Sequence, residues 1–427
     1  MWLPARVREI RAVASLRNHR NYRLYAGGQL ISLMGTWLQF SALAWVVLQV
    51  TRSAVALGAF GAWTSIPYVA LGLFGGVISD RFDRRRTLMV TQSLYFVTAL
   101  ALAAITWNGV ATVWPLYVIA MLDALTQIVD APTRQAFVAQ LVGSDDLPNA
   151  VALNTAIFNA ARIIGPAVAG LLIAGFGVRV CFALNALSFL ALIGALLAMR
   201  PAELFGAVRR EQRASPLRDL RDGFHFAWRA IPVRMALGIL LVVAAVSLNF
   251  SLWLPVLAAQ TLRTGAQAYG VMSACFGVGG LVGALLAALR GRATWPLLLA
   301  SVGGFGLATV LLAPLRSLPL VMVALVVVGV LATVYMVTSN ALTQLATPSE
   351  LHGRVMGFYS YIFIGTTVPG ALLAGWLAQT GGTTLAFTVA GAVDMLVAGV
   401  GLLWYLRWRR RAEASVAPVD APVDAIV

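Results

Sequence analysis

The chain has 427 residues, a formal charge of +15 and a mean hydropathy of +0.84, with 60% hydrophobic and 11% charged residues. A soluble domain is about 45–50% apolar and about 25% charged, so this composition excludes a soluble globular chain and describes one that crosses a membrane repeatedly. All 31 basic residues are Arg, which excludes a Walker-A phosphate loop and a Schiff-base enzyme, since both need a Lys.

The stretch up to Arg23 is polar and carries Arg6, Arg8, Arg11, Arg17, Arg20 and Arg23. The apolar run after it is too long for the core of a signal peptide and long enough to span, so no cleavable leader is expected. A spanning helix needs about 20 mainly apolar residues. Twelve runs meet that need, at 24–50, 55–79, 87–108, 112–131, 148–175, 178–199, 233–262, 266–289, 294–314, 317–343, 351–380 and 383–406. The two cysteines, Cys181 and Cys275, fall inside such runs and read as packing residues.

Cytoplasmic loops of membrane proteins carry an excess of basic residues. With both termini on one face, only Arg52, Arg179, Arg263 and Arg316 fall in the loops of the other face, and Arg162 lies within a segment. Both termini and the long central loop are therefore expected in the cytoplasm, in a multi-pass protein of the bacterial cytoplasmic (inner) membrane. The sequence reads as a bundle at 1–199, a cytoplasmic linker at 200–232, a second bundle at 233–408 and a disordered tail at 409–427. In the linker, Ser215-Pro216 sets a helix start. Leu217, Leu220, Phe224, Trp228 and Ile231 follow at helical spacing, which predicts an amphipathic helix on the cytoplasmic surface. The halves resemble each other. Gln140-Leu141, Leu147 and Val151 match Gln344-Leu345, Leu351 and Val355, and Gly72-x-x-x-Gly76 matches Gly279-x-x-x-Gly283 at nearly the same offset. A duplicated six-helix unit follows.

Between the second and third segments lies Gly75-Gly76-Val77-Ile78-Ser79-Asp80-Arg81-Phe82-Asp83-Arg84-Arg85-Arg86. So dense a charge cluster is a water-facing turn. Its pattern, Gly-x-x-x-Asp-Arg-x-x-Arg-Arg, resembles the loop signature of the major facilitator superfamily, although Asp83 stands where that signature usually has Gly. Leu16-Arg17-Asn18-His19-Arg20-Asn21-Tyr22-Arg23-Leu24-Tyr25, Asp130-Ala131-Pro132-Thr133-Arg134-Gln135-Ala136-Phe137 and Leu147-Pro148-Asn149-Ala150-Val151-Ala152-Leu153-Asn154 resemble the branch that contains the enterobactin exporter and macrolide efflux proteins. The resemblance implies an all-α membrane fold of twelve transmembrane helices in two six-helix pseudo-repeats, with a substrate site at their interface. It further implies a monomeric secondary transporter with no cofactor. Its partners would be a small-molecule substrate, protons and membrane lipid, and no nucleic acid.

Residue by residue, the resemblance makes Gly76, Asp80, Arg81, Arg84 and Arg85 a cytoplasmic gate. Asp80 would bond the start of a neighbouring helix near Ser349-Glu350-Leu351, and the arginines would pair acids or phosphates. Gly165, Pro166 and Gly170 resemble the helix-five motif of drug–proton antiporters; small residues allow close helix approach and Pro bends the helix. Helices one, four, seven and ten line the cavity in this fold. That makes Gln29, Trp37, Gln39, Trp45, Asn249, Trp253, Tyr335 and Asn340 cavity candidates, joined by Tyr359 and Tyr361. As a set they describe a broad, weakly polar, aromatic cavity suited to a bulky amphipathic substrate.

Ionisable groups inside a membrane are costly and are functional candidates. Asp123 lies mid-way along the fourth segment and Arg162 at comparable depth in the fifth, so they can form a buried ion pair. Either that pair is fixed and structural, or Asp123 binds and releases the coupling proton. Asp394, mid-way along the last segment, has no obvious partner and is the second proton candidate. Asp130 is read as capping the cytoplasmic turn with Arg134. A membrane enzyme is the rival from another class. His19, His225 and His352 all fall in cytoplasmic segments, and neither a Gly-x-Ser-x-Gly nor a His-Glu-x-x-His motif occurs. Closer rivals are a lysophospholipid flippase and a nutrient importer of the same fold. The favoured reading is proton antiport of a siderophore or a drug such as a macrolide, by alternating access.

Overall fold

A computed structural model describes residues 14–109, 112–206, 216–348 and 351–415; the side chains of 14, 73–80, 216–220 and 411–415 lie outside that description, and with them those of Gly76 and Asp80. The first six long helices are α1 Arg20–Thr51, α2 Ala54–Arg81, α3 Arg84–Trp107, α4 Val113–Val142, α5 Leu147–Phe176 and α6 Val178–Ala198. Their ends follow local chemistry. Ser53 accepts a hydrogen bond from the Ala56 amide at 3.2 Å and starts α2, and Asp83 accepts from the Arg86 amide at 2.8 Å and starts α3. Asp83, unusual for the loop signature, is thus an N-cap. Gly143 ends α4 at φ 69°, a conformation that side chains resist.

After the linker come α7 Pro216–Arg229, α8 Ile231–Val246, α9 Phe250–Val256 with a π turn at Leu257–Thr261, α10 Ala266–Arg290, α11 Trp295–Leu312, α12 Leu318–Leu345, α13 His352–Gly365 and α14 Thr367–Ser415. Among the described residues, eleven helical stretches are long and apolar enough to cross a bilayer. The last, His352–Arg410, has 59 residues. At 1.5 Å per residue, about 20 residues already cross the hydrocarbon. It is broken at Thr366 and again at Gly381–Gly382, which lie outside helical geometry, so it supplies two spans.

Two segments depart from the sequence reading. The fourth runs to Val142 rather than 131, so Asp130 sits inside α4 and is 3% exposed instead of capping a turn. The seventh is interrupted at Ser247–Asn249. Its backbone ladder is open there, which frees polar groups beside the core of the second unit.

The chain divides into two compact units, Met1–Arg213 with Leu254–Ala274, and Ala214–Trp253 with Cys275–Val427. In the first, Tyr22, Tyr25, Leu88, Phe137, Leu141, Leu192 and Leu196 form a buried cluster. Gly28 and Gly35 let α1 approach α6: a Cβ on Gly35 would lie 2.2 Å from Ser188 Oγ, and one on Gly28 3.0 Å from Leu192 Cα. The family-like stretches 16–25 and 147–154 meet here. Tyr22 donates to the Ala150 carbonyl at 2.9 Å, and His19 Nε2 lies 2.9 Å from Asp146. In the second unit, Phe250 stacks on Phe276 and Phe387, with Trp253 edge-on to both Phe250 and Phe387. Helix α7 packs on α13: Asp222 pairs with Arg354 at 3.0 Å, Phe224 meets Phe358 edge-on, and Ala227 and Tyr359 share a buried cluster.

Candidate functional site

Helix α4 carries two carboxyls on the face that packs against α3. Two turns apart, each meets a threonine of the antiparallel helix. Thr91 donates to Asp130 Oδ1 and Thr98 donates to Asp123 Oδ1, both at 2.6 Å. Each threonine also has the carbonyl three residues back within reach, Leu88 O at 3.1 Å and Tyr95 O at 3.0 Å. The same device is thus built twice.

The two carboxyls differ in what else they meet. Asp130 pairs with the Arg134 guanidinium one turn on and accepts from Gln92 Nε2 at 2.8 Å. A buried charge needs such a partner, and Asp130 has it. Asp123 lacks one: among the described residues no cation lies within ion-pair distance of it. Instead Gln39 Nε2 donates to Asp123 Oδ2 at 3.0 Å. Gln39 Oε1 in turn accepts from Asn185 Nδ2 at 2.8 Å, and Asn185 Oδ1 accepts from Ser188 Oγ at 3.0 Å. A polar chain therefore runs Thr98–Asp123–Gln39–Asn185–Ser188 through α3, α4, α1 and α6. Gln39, Thr98, Asn185 and Ser188 are buried, and Asp123 is half-buried.

The expected Asp123–Arg162 pair does not form. Sequence adjacency places α4 next to α5, but Asp123 faces α3 and α1, where each of its oxygens accepts a hydrogen bond. Gln39 is likewise a bonded core group rather than a cavity wall. Asn185 and Thr98 were not singled out in the sequence; polar residues on the matching faces of the third and sixth segments were the available signal.

The other cavity candidates separate. Trp253 is fully buried and donates to the Ala374 carbonyl at 3.2 Å, so it is a packing residue of the second unit. Asn249, in the break, donates to the Ala245 carbonyl at the end of α8, and Asn340 accepts from Gln344 on the next turn. Tyr359 belongs to the cluster beneath α7. Gln29 Oε1, Trp45 Nε1 and the Tyr335 hydroxyl are buried without a hydrogen-bond partner among the described residues. Trp37 packs edge-on against Phe40 and Phe158. Asp394 has a partner after all. Ser247, in the break before α9, donates to its Oδ1 at 2.8 Å, while Oδ2 is buried without a hydrogen-bond partner among the described residues.

Helix α5 meets two neighbours through glycine. A Cβ on Gly165 would lie 2.5 Å from Trp37 Cβ. One on Gly170 would lie 2.6 Å from Gly270 Cα and 2.8 Å from Ala266 O. In the loop signature, Arg85 donates to the Leu196 carbonyl at 2.8 Å and Arg84 to the Ala136 carbonyl at 3.2 Å. Arg85 therefore caps the carboxyl end of α6, where the helix dipole favours a cation, rather than pairing an acid. Arg81 is exposed at the end of α2.

The transmembrane secretion effector family description matches residues 11–425. The chain belongs to that family of the major facilitator superfamily. The chain is similar to the multidrug efflux pump Tap of Mycolicibacterium fortuitum, 28% identical over 89% of this chain and 94% of the relative. The enterobactin exporter EntS of Escherichia coli O1:K1 / APEC is 25% identical over 95% of this chain and 96% of its own. In fold, the chain matches a crystal structure of the peptide transporter POT with a TM-score of 0.73 at 13% identity, covering 91% of this chain and 95% of that one. It is a multi-pass membrane transporter of all-α architecture, in a family of efflux proteins.

Proposed function

We infer that this transporter exports a bulky amphipathic small molecule, a siderophore or a drug, across the bacterial cytoplasmic membrane in exchange for protons. One observation carries the coupling. Of the two threonine-bonded carboxyls on α4, Asp130 is neutralised by Arg134, and Asp123 by no cation among the described residues. A membrane carboxyl without a counter-charge is a natural proton carrier. The export direction and the substrate class rest on the relatives, which include a siderophore exporter and a multidrug pump. The arginine distribution puts both termini in the cytoplasm. The protein works as a monomer by alternating access, with no cofactor. Its bundles are 1–199 and 233–408, joined by a linker at 200–232 and followed by the tail at 409–427. The side chains Gln29 and Trp37 of the first unit receive the substrate, and Asp80 with Arg81 gates the cytoplasmic end. Asp394 is the reserve proton group, because Ser247 satisfies only one of its oxygens.

The test uses inside-out vesicles carrying the full chain, an inward-acidic gradient, and a catechol siderophore, a macrolide, a cationic dye and a lysophospholipid. Saturable accumulation that a protonophore collapses is expected for one of the first three. Asp123→Asn removes the gradient-driven accumulation and leaves substrate binding in place. Accumulation of lysophospholipid alone, indifferent to the protonophore, would overturn antiport in favour of lipid flipping. Loss of coupling in Asp394→Asn but not in Asp123→Asn would move the proton to the second unit.

A further inference from the structure

We propose that the coupling proton resides on Oδ1 of Asp123, that Thr98 is the residue that accommodates it, and that Gln39 is held fixed while it comes and goes. This rests on the reading of Asp123 as the proton carrier and assigns the atom and its positioning residues.

The argument is a count of donors and acceptors. In the arrangement seen, both oxygens of Asp123 accept, Oδ1 from Thr98 and Oδ2 from Gln39. That suits an ionised carboxylate. Adding a proton turns one of these acceptors into a donor, and the facing group must then accept. An amide nitrogen cannot accept. If the proton sat on Oδ2, the Gln39 amide would have to turn over and present Oε1. Its nitrogen would then face Asn185 Nδ2, donor against donor, so Asn185 would turn over too. Both amides are buried, so neither turns over without displacing packed neighbours. Two coupled rotations of packed side chains are needed for one proton.

On Oδ1 a single hydroxyl hydrogen moves. Thr98 Oγ1 already lies 3.0 Å from the Tyr95 carbonyl. Its O–H leaves Asp123 and points to Tyr95 O, and its oxygen accepts the new Oδ1–H bond at the same 2.6 Å separation. The balance is complete: one proton enters, the O–H bond forms at Oδ1, and no heavy atom moves. Gln39 keeps donating to Oδ2, which becomes the carbonyl oxygen of the acid. Among the described ionisable groups on the packed helices, Tyr95 of α3 lies near Asp123, with Tyr68 of α2 and the Asp130–Arg134 pair further along; Tyr22 and Tyr25 of α1 sit in the cluster with Phe137, and Tyr117 of α4 donates to the Ala56 carbonyl. Tyr95 uses its hydroxyl on Gln127 Oε1 at 3.0 Å and Tyr68 donates to the Gln127 carbonyl. They leave the exchange to Thr98. Helix α3 therefore registers the protonation of α4, and α1 does not.

The experiment is a pH titration of the full-length purified protein by infrared difference spectroscopy, following the protonated carboxyl band that disappears in Asp123→Asn. The band position reports the hydrogen bond to the carbonyl oxygen. With the proton on Oδ1, Gln39→Leu moves the band to higher frequency. Thr98→Val leaves the position alone but raises the titration midpoint by about one pH unit, because the ionised form loses a charge-assisted bond and the acid only a neutral one. Thr98→Ser restores the midpoint. If Thr98→Val moves the band and Gln39→Leu does not, the proton is on Oδ2 and the proposal is wrong. If Thr98→Val changes neither, Thr98 has no part in it and the proposal also falls. A wild-type protein with no band attributable to Asp123 at any pH is a different result: it removes the proton-carrier reading on which this stands.

Discussion

Gly170→Ala is the sharpest structural perturbation that the fold offers. A methyl built on Gly170 lies 2.6 Å from Gly270 Cα, 2.8 Å from Ala266 O and 3.0 Å from Gly270 N. Non-bonded carbons settle at about 3.5–4.0 Å, so α5 and the start of α10 must part by roughly 1 Å. Every clashing atom is backbone, so no side chain can rotate out of the way. Overpacking of this kind costs about 1–3 kcal/mol, a factor of roughly 5–150 in the population of the arrangement in which the helices touch. Gly175, on the same helix, is the control, because a Cβ there meets nothing within 4 Å. Its replacement by Ala removes a poor helix former and is neutral or slightly stabilising. The assay is initial transport rate in vesicles together with thermal unfolding of the purified protein. Gly170→Ala is expected to lower both, and Gly175→Ala neither. A Gly170→Ala protein with wild-type rate and unfolding temperature would refute the close crossing as a feature of the working transporter.

Asp130→Ala strands the buried Arg134 guanidinium and is expected to cost about 3–5 kcal/mol, read as loss of folded protein in the membrane. Asp130→Asn, which keeps an acceptor for Thr91, is milder. Asp80→Asn is expected to slow turnover while the protein remains in the membrane; wild-type turnover would remove Asp80 from the gate. At the linker helix, Asp222→Ala breaks a half-exposed pair worth about 0–1 kcal/mol and leaves tryptic cleavage at Arg221 and Arg229 as slow as in the native chain. Gly223→Val forces a side chain against the Arg354 carbonyl, 2.6 Å from the nearest added atom, and is expected to release α7 and speed that cleavage. Equal rates for the two variants would show that α7 is not held by this contact.

Much of the architecture is legible because a bilayer constrains sequence strongly. Backbone polar groups in hydrocarbon must bond within their own helix, so each span is written as a continuous apolar run, and the arginines count the faces. The breaks are less legible. Ser247 looks like any small polar residue in an apolar run, and only the packing against Asp394 gives its position a consequence. The extent of α4 was likewise hidden, because Asp130 and Arg134 read as a polar boundary until their mutual pairing made them fit for the interior.

By itself, the sequence determined the class of the protein, its spans and the short list of membrane carboxyls, since each follows from local composition and from the cost of charge in lipid. Only the tertiary structure decided what those carboxyls meet. Hydrogen bonding depends on which helix faces are turned together, and that is a property of packing between segments far apart in the chain. Sequence adjacency suggested Arg162 for Asp123; packing gave it Thr98 and Gln39, and it gave the one nearby guanidinium on α4 to Asp130.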